Sequence, residues 1–276
     1  MFSRVKKITR MTALRLLKTL GKFDIHITHP LTGTRFRLHP FKHKGYWFHG
    51  KKREAAELGH FRNLIQPGDC VWEIGAHIGF VTQFYSQLVG ESGRVVAFEP
   101  GPENLKYLRA NIATNPNIEL QPVAVCEFTG VVTLNVENLS GQNNSLVSNL
   151  PVLAANIQNA GIQPQLTQIE VPTVSLDAFR DTETRKPDFI KIDVEGVEAR
   201  VLKGAQQILL EDRPVLMVEL MCDRPKSLEL LAAANYRCYY VDGSTVDPHN
   251  LPDEPFSNIF AFPAESPRLE KFTGSH

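Results

Sequence analysis

The chain is short of the features that would announce several common protein classes. Its four cysteines, Cys70, Cys126, Cys222 and Cys238, lie far apart and form no CxxC pair. That excludes a zinc knuckle and a thioredoxin-like motif, and leaves reduced, mostly buried thiols as the expectation. No run approaches the roughly 18 apolar residues that cross a bilayer. The first residues interrupt their apolar stretches with Lys and Arg, unlike a secretory leader, so the cytoplasm is the expected compartment. Net charge is also lacking: 30 basic residues stand against 30 acidic ones. No overall field therefore favours nucleic acid or an anionic substrate. There is no internal repeat. Histidines gather early, at His26, His29, His39, His43, His49 and His60, but at no spacing that builds a zinc site.

What is present is placed unevenly. Up to Arg53 there are fourteen Lys and Arg against a single acid, Asp24, so a basic front end precedes an acidic body. Residues from about Ser3 to Phe23 read as a helix, with Ala13, Leu16, Leu17, Leu20 and Phe23 on one face opposite Arg15, Lys18 and Lys22. Its apolar face suits packing on the body of the protein or on a second subunit of a homo-oligomer. FDIHITHP and TRFRLHP flank Leu31-Thr32-Gly33 as a hairpin. EAAELGHFRNLI follows as a helix, closed by Gln66-Pro67-Gly68-Asp69. Three readings of the basic stretch stand in order: a solvated helix and hairpin, peripheral attraction of residues 1–53 to anionic lipid or a lipid-linked glycan, and RNA binding. The last is disfavoured, because no RNA-binding module and no Asn-Pro-Pro-Tyr motif is present. The expected organisation is a basic helix and hairpin extension over residues 1–60 and a catalytic domain over residues 61–265.

From Cys70 onward, short apolar runs alternate with helical stretches, the pattern of an α/β parallel sheet covered on both faces. CVWEI, RVVAFE, IELQPVAV, DFIKIDV and PVLMVEL read as buried strands, and YRCYYVD and NIFAFP as two more. FVTQFYSQLV, PENLKYLRANIA, VEARVLKGAQQILL and KSLELLAAAN read as helices, with Pro102 suited to a first turn. Between Gly130 and Ala178 lies a polar insertion containing VVTLNVEN and GQNNSLVSN; Asn143, Asn144 and Ser145 are candidates there for contact with adenine or an acceptor, or for a solvated turn.

The first of these strands ends in Glu73-Ile74-Gly75-Ala76-His77-Ile78-Gly79-Phe80 and runs into a helix, where an open α/β sheet binds ligand. The spacing is G-x-x-x-G, without the middle glycine that lets a dinucleotide's pyrophosphate approach. A carboxylate such as Glu73 beside the turn repels a phosphate and attracts a cation. Glu99, at the end of the next strand and followed by Pro100, is placed to accept both hydroxyls of a ribose. Together these features favour a cationic nucleoside.

EIGAHIGF, AFEPGPENLKYLRANI, TVSLDAF, PDFIKIDVEGVEARVLKGA and RPVLMVEL resemble, in order and spacing, the FkbM methyltransferase domain over about Pro67 to Leu220. The resemblance implies a class I, Rossmann-like, doubly wound sheet of seven strands. It implies S-adenosyl-L-methionine over the carboxyl ends of the first strands, with Glu73, Gly75, Ala76, His77 and Gly79 on the methionine side and Glu99 and Pro100 on the ribose side. The family commonly has Asn where this chain has His77. Asp193, after Lys191-Ile192, should face the cofactor and its transferred methyl, with Glu195 and Glu219 as partners in removing a proton or orienting the acceptor, and Glu198 beside them. Glu195 and Glu198 also have a plainer reading as groups serving the start of the next helix. A divalent cation on Asp193, Glu195 and Glu219 is chemically admissible, though no ligand spacing in the sequence calls for one. The expected reaction is O-methylation of a hydroxyl on a glycan, glycolipid or natural-product acceptor. An RNA methyltransferase, or a cofactor-binding interaction protein without catalysis, are the alternatives.

Overall fold

The computed structural model describes residues 23–48, 54–137, 144–147, 166–254 and 256–274. They fall into two compact units that divide between Ala55 and Ala56. In the first, β1 (Ile25–Thr28) and β2 (Arg35–Leu38) pair antiparallel with Ile25 opposite Leu38, giving the expected hairpin. Gly33 makes its turn possible at φ +70°, with its N–H donating to the His29 carbonyl at 2.8 Å. A short helix α1 (Lys44–Phe48) follows. The histidine rings here serve the backbone: His39 accepts from the N–H groups of Phe41 and Lys42, and His43 accepts from that of His39. The amphipathic helix expected over Ser3 to Phe23 lies outside the described residues except for Phe23.

The second unit opens with α2 (Ala55–Leu64) and then builds a sheet from β3 (Cys70–Ile74), β4 (Arg94–Phe98), β5 (Ile118–Gln121), β9 (Phe189–Ile192), β10 (Val215–Leu220), β11 (Tyr236–Tyr240) and β12 (Ser257–Pro263). The seven strands run in the order β11-β12-β10-β9-β3-β4-β5. β12 is antiparallel to both neighbours, while β10, β9, β3, β4 and β5 are mutually parallel. The helices α3 (Phe80–Val89), α4 (Pro102–Ile112), α5 (Leu176–Thr182), α6 (Glu198–Lys203), α7 (Arg224–Ala233) and α8 (Arg268–Thr273) connect or follow these strands. This is the seven-stranded, doubly wound α/β architecture that the sequence resemblance implies. All five residues of β3 are buried, as the apolar run CVWEI demands of a central strand covered on both faces. Trp72 packs edge-on against Phe179 of α5, which in turn meets Phe98 of β4.

Three local expectations are corrected. IELQPVAV is two strands rather than one: β5 belongs to the large sheet, whereas β6 (Ala124–Val125) joins a second sheet ordered β6-β8-β7. Pro122, which has no N–H to donate, stands at the break. The polar insertion contributes β7 (Gly130–Glu137) and β8 (Leu166–Val174), an antiparallel pair with Leu134 opposite Ile169. VEARVLKGAQQILL is interrupted: α6 stops at Lys203 and a π-helical turn forms over Ile208–Asp212. Gly204 is the C-cap, and its missing side chain makes room for the Cys126 carbonyl oxygen, 2.4 Å from where a Cβ would lie. Among the described residues no helix is long and apolar enough to cross a membrane.

Candidate active site

The loop after β3 is shaped by what passes beside it. The N–H groups of Gly75 and Ala76 both donate to the Phe98 carbonyl at 3.0 Å, holding the ends of β3 and β4 together. Gly75 has φ +90°, and a Cβ on it would sit 1.8 Å from the Asp193 carbonyl oxygen. Only glycine lets the end of β9 come this close. His77 adopts the left-handed region at φ +50°, where His and Asn are among the few side chains tolerated. Its N–H donates to Glu99 Oε2 at 2.8 Å, so the backbone of this residue orients the acid at the end of β4. Gly79, at φ +83°, makes room for a helix: its Cβ would meet Leu108 of α4 at 2.6 Å, so the close packing is on α4 rather than on the strand.

Glu99 is 4% exposed, and its carboxylate also accepts from Gly101 N at 2.8 Å and Asn104 Nδ2 at 3.1 Å. Burial pushes the carboxyl up to about 7, with the Gly101, Asn104 and His77 donors opposing the shift. A carboxylate has about four lone-pair sites. Three donors leave acceptor capacity for a ligand hydroxyl. Glu73 is buried and its Oε2 accepts from Thr82 Oγ1 at 2.5 Å, in the first turn of α3. Pro100 is half-buried, and Pro102 takes the first-turn position of α4 as expected. Beside Glu99, a Cβ on Gly101 would meet Asn144 Nδ2 at 2.7 Å and Glu99 Oε1 at 2.8 Å. Asn144 Oδ1 accepts from Glu137 N, and Nδ2 is buried without an acceptor. A pinned, buried carboxylate with remaining acceptor capacity fits the ribose of a nucleoside.

At the ends of β9 and β10 the acids converge. Asp193, Glu195 and Glu219 each offer a carboxylate oxygen within 4.8 Å of the others. Lys191 Nζ lies 2.7 Å from Asp193 Oδ2, with only 7% of the lysine side chain exposed. Burial pushes Asp193 up, but the Lys191 ammonium outweighs it and holds the carboxyl below its ordinary value. Glu195 and Glu219 stand well above theirs, first through burial and then through the neighbouring Asp193. Glu195 is in the left-handed region at φ +53°, and its carbonyl accepts from Ser145 Oγ at 2.5 Å. Glu198 is wholly buried, Oε1 accepts from Gly196 N at 2.6 Å, and burial raises the carboxyl to about 7. No side chain caps α6, so Glu195 does not play the capping role.

The Methyltransferase FkbM domain matches residues 73–238. The chain belongs to the FkbM methyltransferase family. The FkbM chain is 26% identical over 145 residues to the hexuronic acid methyltransferase AglP of Haloferax volcanii, covering 52% of this chain and 53% of that one. It therefore spans about half the length of that curated relative. Among solved structures, the methyltransferase FkbM from Methylobacillus flagellatus is 18% identical with a TM-score of 0.45, covering 74% of this chain and 50% of that one. Aeropyrum pernix fibrillarin, in complex with natively bound S-adenosyl-L-methionine, is 14% identical with a TM-score of 0.42, covering 75% and 73%.

Of the residues singled out from sequence, the FkbM fold brings Asp193, Glu195 and Glu219 together and joins His77 to Glu99. Glu73 is turned beneath α3, and Asn143 lies outside the described residues. Three residues had no assigned role: Lys191, Thr82 and Asn104. Lys191 stood in the KIDVEG motif, where a lysine inside an apolar strand is itself a signal, because buried ammonium groups are rare unless paired.

Proposed function

We propose that this protein transfers a methyl group from S-adenosylmethionine to a hydroxyl oxygen of a sugar-containing or natural-product acceptor. The observation that carries the reading is the junction of Gly75 with the Asp193 carbonyl. It sets the acid cluster against the loop whose His77 N–H pins Glu99. A site for a nucleoside and a site rich in proton acceptors thus share one wall. Bound there, the cofactor supplies a methyl carried on a positively charged sulfur, which leaves as the neutral thioether.

Glu99 accepts one ribose hydroxyl. Asp193, held ionised by Lys191, faces the acceptor hydroxyl with Glu195 and Glu219 beside it, and takes up the hydroxyl proton as the new C–O bond forms and the C–S bond breaks. Fixing oxygen, methyl and sulfur in line supplies up to about 7–11 kcal/mol of the barrier. A positioned base adds about 10²–10⁴-fold. The name of the Haloferax volcanii relative, a hexuronic acid methyltransferase, supports a sugar acceptor. An RNA acceptor fits less well, because several carboxylates in one cleft repel a phosphate backbone.

The test is incubation of the protein with methyl-labelled S-adenosylmethionine and a panel of hexuronic acids, neutral glycans and glycolipids. The expected result is label in a base-stable methyl ether of a sugar hydroxyl. Label found only on nitrogen, or in a base-labile ester, would refute O-methylation of a hydroxyl.

A further inference from the structure

Three carboxylates that face one another need an explanation beyond proton transfer. One oxygen from each of Asp193, Glu195 and Glu219 lies within 4.8 Å of the other two. Hard divalent cations bind carboxylate oxygens at about 2.0–2.6 Å, so a small inward shift of the three side chains brings them onto a single ion. The three side chains come from different places: the end of β9, the turn that follows it, and β10. They are not neighbours by accident of one helix face.

A second observation points the same way. Glu195 Oε2 is sealed from water and has no hydrogen-bond partner. A carboxylate oxygen in that position has given up its hydration and received no donor in exchange. Such an oxygen is satisfied by a proton or by a cation, which sits closer than the about 2.8 Å of a hydrogen-bonded water. Lys191 offsets one negative charge through Asp193. Glu198 adds another carboxylate nearby, wholly buried and with its own Oε2 unpartnered. One ammonium balances one carboxylate, and the others hold protons unless a cation takes their place.

We infer that Asp193, Glu195 and Glu219 form a binding site for one hard divalent cation of the magnesium or manganese kind, at the carboxyl ends of β9 and β10. The all-oxygen ligand set selects this class over zinc or copper. Such ions keep several coordination positions for water or substrate. On the function proposed above, on which this role rests, those positions take an acceptor hydroxyl and orient it. The site itself is independent of which acceptor binds.

The full chain, freed of metal with EDTA and exchanged into metal-free buffer, is titrated with manganese chloride, with and without saturating S-adenosylhomocysteine. Calorimetry and the electron paramagnetic resonance signal of free Mn²⁺ report binding. The expected result is one Mn²⁺ per chain, displaced by excess Mg²⁺, and weakened at least about tenfold in Glu219→Gln. S-adenosylhomocysteine affinity in that variant stays within about twofold, which also shows that it is folded. Should Glu219→Gln lose nucleoside binding, Glu195→Gln takes its place. If the wild-type chain binds the nucleoside but no stoichiometric Mn²⁺, the cluster is neutralised by protons and the inference is overturned. Mn²⁺ binding that survives unchanged in both variants overturns it as well. Mn²⁺ binding that depends on Glu219, without any nucleoside binding, would uphold the cation site and count against the function proposed above.

Discussion

At Glu99, burial and hydrogen bonding pull in opposite directions. Burial wins, and the carboxyl rises to about 7 despite the His77, Gly101 and Asn104 donors. Below that value it carries a proton and loses acceptor capacity; above it the ribose hydroxyl finds an anion. S-adenosylhomocysteine should therefore bind with constant affinity above about pH 8 and weaken by about tenfold per unit as pH falls below about 7. Calorimetry across that range checks it, and a flat profile would separate Glu99 from the ligand. Asp193 makes the complementary case. Its carboxyl stays ionised beside Lys191, so Asp193→Asn should lower kcat by about 10²-fold or more while shifting nucleoside affinity far less. Equal losses in both would make it a cofactor support only. These acids were legible in sequence because each ends or follows a strand. The helical donors were not: Thr82, which donates to Glu73, and Asn104, which donates to Glu99, lie on helices whose rotation about the strands is a tertiary fact.

At the scale of elements, the β3 loop depends on backbone proximity more than on side chains. Gly75→Ala introduces a carbon 1.8 Å from the Asp193 carbonyl, in a left-handed conformation that alanine resists. The two ends must part, at a cost of about 3 kcal/mol or more. Urea denaturation should show that loss, together with weaker nucleoside binding; unchanged stability would mean that β9 moves aside freely. Apolar runs such as CVWEI and PVLMVEL were readable as strands because they are buried on both faces, where hydrophobicity alone determines the outcome. β8 was not read as a strand. LTQIEVPTV is mostly exposed on one face and contains Pro172, so it carries neither a continuous apolar run nor a clean strand signature. The close approach at Gly204 was equally hidden, since the Cys126 carbonyl comes from another part of the chain.

Across the whole molecule, zero net charge conceals two opposed regions. Fourteen basic residues up to Arg53 stand in sequence ahead of a domain whose site gathers acids. On the function proposed above, a nucleic acid is a poor acceptor because the acid cluster repels its phosphates. Total RNA incubated with the protein and labelled cofactor should accordingly take up no label, and RNA methylated in proportion to protein would reverse the acceptor assignment. The order of the seven strands, with β3 between β9 and β4, places the Glu99 loop and the acid cluster on the same end of the sheet. That juxtaposition was foreseeable from the spacing of EIGAHIGF, FEP and KIDVEG, and the proposed function rests on it. The most direct measurement is calorimetric titration of the full chain with S-adenosylhomocysteine and, separately, with NAD. Binding of the first at one site per chain, with no heat from the second, is the predicted result. Tight binding of NAD with none of S-adenosylhomocysteine would contradict it.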